Sequence, residues 1–249
     1  MSVKQLVIAV DGTAEMGFYW APILSDYLVK IIRYLCGQNL TGQEASGGRV
    51  ELSLVMYNSH GPYSGFLTQD SRTTRSMGTF LQWLSAISFS GDGYDDLAIA
   101  EGLADALLMF PRHPHGTQTQ QRLLGRRHCI LVAASNPFPF PIPVHLPKIQ
   151  NLQGAQISGA TTEFSLADPN MVAKLFTQCC VSLSVISPKQ LPKLREIYNS
   201  ANSNLQGENS LVNGMNPQFL ILISKNFPEA HAALNEYNVT STPSIQNPV

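Results

Sequence analysis

Residues 4–13 read KQLVIAVDGT. The first seven are almost wholly apolar, rich in Val and Ile, and carry no polar alternation. A strand of that composition is covered on both faces, which predicts the centre of a parallel sheet. Asp11-Gly12-Thr13 ends it in a turn. Beyond the turn, residues 16–36 place Ile23, Leu24, Tyr27, Leu28, Ile31, Ile32 and Leu35 at the spacing of a helix with one buried face.

The same alternation continues outward. VELSLVMY at residues 50–57 predicts a second strand, and residues 63–67 a short third one, hairpin-paired to it across the turn at 58–62. Helices are expected over 74–87 and 97–110, the latter stopped by Pro111. CILVAA at 129–134 is a further buried strand, followed by a helix over 168–180, a strand over 181–187, a helix over 189–201 and a last strand over 219–224. This order predicts an α/β class: a doubly wound, mostly parallel six-stranded sheet with one antiparallel edge strand from the hairpin. Ligands of such sheets sit beyond the carboxyl ends of the strands, where strand order reverses. The loops after residues 10 and 134 and the turn at Gly91 are therefore the places to look.

Composition narrows the function. Sixteen basic and seventeen acidic residues nearly cancel, and no basic run exceeds Arg126-Arg127-His128. Nucleic-acid binding needs a concentrated positive field, so direct contact with DNA or RNA is not expected. Charged residues are 13% of the chain, about half the usual share, which suits a docking surface. Cys36, Cys129, Cys179 and Cys180 have no zinc spacing, and an adjacent pair is a poor disulfide, so reduced thiols in an intracellular protein are expected. No apolar run reaches the roughly 18–20 residues that span a bilayer, and the start lacks a secretory h-region, so no membrane partner is expected.

The loop Asp11-Gly12-Thr13-Ala14-Glu15 allows three chemistries. One is phosphoryl transfer of the haloacid dehalogenase kind, whose DxDGT signature puts the nucleophilic carboxylate where Ala9 stands here. A methyl group cannot attack phosphorus. No GxSxG elbow surrounds Ser53, Ser64 or Ser135, so a hydrolase triad has no support either. A non-enzyme is expected.

The second is a metal-dependent adhesion site. Element order and the acidic first loop resemble the von Willebrand factor A domain, in which a DxSxS loop, a threonine and an aspartate from two further loops bind Mg²⁺. The resemblance puts Asp11 at the first aspartate, Thr13 at the first serine, Glu15 at the second serine, Leu97 at the threonine and Asn136 at the third-loop aspartate. Mg²⁺ asks for an octahedron of hard oxygens, and Leu97 offers none. Asp95 or Asp96 could compensate if the loop register shifted. A degraded site with no metal and no cofactor is the expectation, a Mg²⁺-dependent adhesion-type domain the alternative.

The third is a partner-docking scaffold. LVIAVDGTAEMG at 6–17, FLQWLSAISF at 80–89, IAEGLADAL at 99–107 and VISPKQLPKL at 185–194 together resemble the Mediator subunit 25 family, its plant members above all. That resemblance implies a nuclear, non-catalytic interaction domain of a transcription coactivator. Its implied partners are other Mediator subunits, with transcription factors as further candidates. Residues 1–226 are expected as the von Willebrand factor A-like domain and 227–249 as a C-terminal extension or linker.

Two surfaces are candidates for docking. Phe138, Phe140 and Ile142 alternate with Pro137, Pro139, Pro141 and Pro143, a rigid display that lowers the entropy cost of binding; covering the sheet's carboxyl edge is the favoured alternative for these rings. Lys193 and Arg195, with Lys189, offer a modest basic face. His113, His115 and His128 lack a third ligand and are read as ordinary loop histidines.

Overall fold

A computed structural model describes residues 3–37, 49–61, 65–91, 96–111, 123, 125–148, 162–202 and 216–240. Eight strands fall in these residues: β1 (Lys4–Asp11), β2 (Val50–Tyr57), β3 (Thr68–Asp70), β4 (Arg127–Val132), β5 (Ile142–Pro147), β6 (Thr162–Ala167), β7 (Ser182–Ser187) and β8 (Leu220–Leu222). The helices are α1 (Ala14–Ile23), α2 (Val29–Leu35), α3 (Met77–Ser85), α4 (Ile99–Leu108), α5 (Pro169–Gln178), α6 (Pro192–Asn202) and α7 (Pro228–Thr240).

Six strands form the main sheet in the order β3-β2-β1-β4-β7-β8. β2, β1, β4 and β7 are mutually parallel. β1 lies between two parallel neighbours, as its unbroken apolar sequence demands. β3 is the expected antiparallel edge, and β8 also runs antiparallel, against β7. The hairpin strand lies later than the sequence suggested. Of residues 63–67, the first two fall outside the described residues, and pairing begins only where Thr68 meets Tyr57. Its three residues, TQD, are polar and exposed or half-buried, so no apolar alternation announced them.

Side chains alternate cleanly across β1. Leu6, Ile8 and Val10 face a core with α1, α2, α3 and α7; Val7 and Ala9 face the other core with α4, α5 and α6. α1 and α2 are one helical run joined by a π-helical turn, Leu24–Leu28. Pro22 sits in the last turn of α1, has no N–H to donate, and the wider turn follows it directly. α4 lies so close to β2 that a Cβ on Gly102 would come within 2.6 Å of the Tyr57 ring.

Two elements were not visible in the sequence. β5 and β6 form a separate antiparallel ribbon packed on α4 through Ile142, Val144 and Leu146. Residues beyond 226, read as an extension, contribute α7, which packs on α2. Phe227, Ala230, Ala233 and Leu234 are buried there, and Phe227 stacks flat on His128 at 3.8 Å between ring centres. His128 is thus a core residue, its Nδ1 2.7 Å from the Ser182 hydroxyl. His113 and His115 lie outside the described residues. All four cysteines are free thiols.

Candidate functional site

The strand order reverses between β1 and β4, and Asp11 closes that gap. Its carboxylate is fully buried: Oδ1 accepts the Thr13 N–H at 2.9 Å and Oδ2 the Ala134 N–H at 3.0 Å. One side chain thereby ties the loop after β1 to the end of β4. Burial pushes the carboxyl above its ordinary range, opposed by the Thr13 hydroxyl and the two N–H donors, while Glu15 adds to the rise. The Thr13 hydroxyl is buried without a partner at hydrogen-bonding geometry, although it lies near enough to favour the Asp11 anion. Beneath them the Tyr57 hydroxyl donates to the Val132 carbonyl at 2.7 Å.

Gly12 is tightly enclosed. Its N–H donates to the Tyr57 carbonyl, its carbonyl accepts the Ser90 N–H, and a Cβ would approach the Asn58 Oδ1 to 2.9 Å. Buried Asn58 was missed by the sequence reading. Its Nδ2 donates to the Phe66 carbonyl at 3.0 Å, and its carbonyl accepts the Ala98 N–H at 2.8 Å, so it pins the loop after β2 to the start of α4. An asparagine beyond a strand carries no pattern that distinguishes it from any turn residue.

Leu97 joins the second and third loops by its backbone alone. Its N–H donates to the Asn136 carbonyl, its own carbonyl accepts the Phe138 N–H, both at 3.0 Å, and its side chain is fully buried in the core. Asp96 is exposed, at the left-handed φ of 84°, and its carbonyl accepts the His60 N–H; Asp95 lies outside the described residues. Glu15 meets Lys189, on the loop after β7, with Nζ to Oε1 at 2.6 Å. Lys189, expected on a basic face with Lys193 and Arg195, is engaged by this carboxylate.

This donor set does not fit Mg²⁺. Both oxygens of Asp11 accept backbone N–H groups, the Glu15 carboxylate is paired with an ammonium, and Leu97 puts carbon where a hydroxyl is needed. Among the described residues, no group of three His, Cys, Asp or Glu side chains is placed to hold a metal.

Phe138 and Phe140 behave differently from each other. Phe138 packs against the core and on the His60 ring at 4.5 Å, while Phe140 is 65% exposed. His60 Nε2 lies 2.8 Å from Glu101 Oε1, and burial raises the Glu101 carboxyl against the pull of that histidine. Arg195 lines a shallow cavity of about 330 Å³ with Gln190, Leu191, Pro192, Glu196 and Asn199. Lys193 is exposed on the same helix.

A doubly wound sheet with an Asp-x-Thr loop at its switch point, and second and third loops knitted to it, defines the von Willebrand factor type A class. Residues 1–226 match the family described as Mediator complex subunit 25 von Willebrand factor type A, and the chain belongs to that family. It is 51% identical over 248 residues to Mediator of RNA polymerase II transcription subunit 25 of Solanum lycopersicum, covering 99% of this chain and 31% of the relative. Against the protein of the same name in Arabidopsis thaliana it is 47% identical, covering 99% and 29%. Against that of Homo sapiens it is 28% identical, covering 80% and 25%. The chain therefore spans under a third of the length of these relatives. Among solved structures, the pilus adhesin SpaC of Lactobacillus rhamnosus GG in its open conformation aligns with TM-score 0.49 at 11% identity, covering 96% of this chain and 30% of that one.

Proposed function

We propose that this domain is a metal-independent, non-catalytic docking module that attaches a Mediator subunit 25 to other Mediator subunits in the nucleus. The match to proteins of that name along 99% of the chain carries the reading. The site supports it. The Asp11 carboxylate, Leu97 backbone and Glu15–Lys189 pair tie the loops at the switch point to one another. Ala9 at the nucleophile position of the phosphatase signature leaves no reacting atom. Transcription factors are further partners of the same coactivator, and the Phe138–Phe140 segment and the Lys193/Arg195 face are candidate contacts.

Affinity capture of this chain from plant nuclear extract tests the reading. Mediator subunits should co-purify equally in magnesium and in EDTA. Recovery only in magnesium would favour the adhesion-type alternative, and failure to recover Mediator in either would refute the docking role.

A further inference from the structure

The β5–β6 ribbon has one edge protected by proline and, among the described residues, one edge with no strand against it. β5 carries Pro143 and Pro147, which cannot donate to another strand. β6 has neither proline nor lysine, and Glu163 is its one charged residue. In an antiparallel pair about half of each strand's N–H and C=O groups point away from the partner. β6 pairs only with β5, so those groups have no ladder partner among the described residues.

The outer face is apolar where a solvated face should be polar. Register puts Pro143 opposite Leu166 and His145 opposite Phe164, with the latter rings 5.1 Å apart. Phe164 is 67% exposed and Leu166 63%. Large exposed apolar side chains two residues apart on an edge strand are what proteins avoid unless the edge is used.

Charge selects the partner. The only ionisable side chains on the two strands are His145 and Glu163. His145 stands beside Asp105 of α4, whose carboxyl is raised first by burial and further by Asp70 of β3. Glu163, Asp105 and Asp70 put three carboxylates around the ribbon, against His145 and Lys148, which directly follows β5.

We propose that the free edge of β6, with Phe164 and Leu166, receives an extended segment of another Mediator subunit that carries apolar side chains at alternate positions together with lysine or arginine. The proposal rests on the docking function above and locates it. Main-chain bonds to the edge supply affinity, alternate pockets supply selectivity, and the carboxylates orient the strand. It differs from the Phe138–Phe140 and Lys193/Arg195 candidates, which lie before the ribbon and on α6.

The test measures binding of this chain to Mediator purified from plant cells lacking subunit 25. The double variant Phe164→Ser/Leu166→Lys, both positions exposed, should keep the melting temperature of the parent and bind about 10- to 100-fold more weakly. A photo-crosslinking residue at Glu163 should capture a subunit peptide with alternating apolar residues and a basic one. Undiminished binding by the double variant overturns the assignment to this edge, and capture of a helical or acidic segment overturns the proposed occupant. If the parent chain itself fails to bind, the docking function falls, and this assignment with it.

Discussion

Replacing Asp11 by Asn separates a structural carboxylate from a metal ligand. The native carboxylate accepts two buried backbone N–H groups, from Thr13 at 2.9 Å and Ala134 at 3.0 Å. Asparagine offers one oxygen where aspartate has two, so its NH₂ faces one of the two N–H groups, donor against donor. The substitution loses one charge-assisted bond, about 1.5–3 kcal/mol, and leaves a buried N–H unpaired, about 1–3 kcal/mol. Relief of the buried charge offsets part of this, since burial already pushes the Asp11 carboxyl upward. The net expectation is about 2–3 kcal/mol, or a fall in melting temperature of roughly 5–10 °C for a chain of this size. Thermal melts of both proteins near neutral pH, in EDTA and in millimolar Mg²⁺, should show the same loss in each buffer. A loss confined to the magnesium buffer would refute the reasoning, because it would make Asp11 a ligand and not a clasp.

Other outcomes follow from single contacts. Gly102→Ala drives a Cβ into the buried Tyr57 ring and should cost about 1–3 kcal/mol in urea unfolding, although alanine favours a helix by about 1 kcal/mol. Phe227→Ala removes a fully buried ring and should cost about 3–5 kcal/mol; a negligible cost would show that the C-terminal helix is not part of the cooperative unit. Burial depresses His128 from 6.5 to about 4, so the unfolded chain takes up its proton first. Its contribution is fully present above pH 6.5 and declines as pH falls towards 4, by about 3 kcal/mol in all. His128→Asn should flatten the slope of unfolding free energy against pH in that window, and an unchanged slope would count against a neutral buried imidazole.

The parallel centre of the sheet was legible because its strands are covered on both faces, and KQLVIAV and CILVAA have no other reading at that length. The site loops were legible as positions but not as contacts. Asp11, Leu97 and Asn136 could be placed by the resemblance to the von Willebrand factor A domain, whereas the Glu15–Lys189 pair joins residues 174 apart and has no local signature. β5 hid inside a proline-rich run because Pro143 and Pro147 mark it as non-helical without marking it as a strand. β6 hid because Phe164 and Leu166 face solvent, the reverse of the usual pattern. α7 was missed for another reason: AHAAL is small and only mildly apolar, and it is packing against α2, not composition, that makes it part of the fold.

The metal-free clasp at the switch point is tested most directly by titrating the purified chain with Mg²⁺ and Mn²⁺ while following its melting temperature. Residues that hold the loops by themselves predict no shift up to millimolar ion. An ion gripped at a hundredfold excess over its Kd would add about 2.7 kcal/mol. A saturating rise in melting temperature that is abolished by Asp11→Asn would contradict the account.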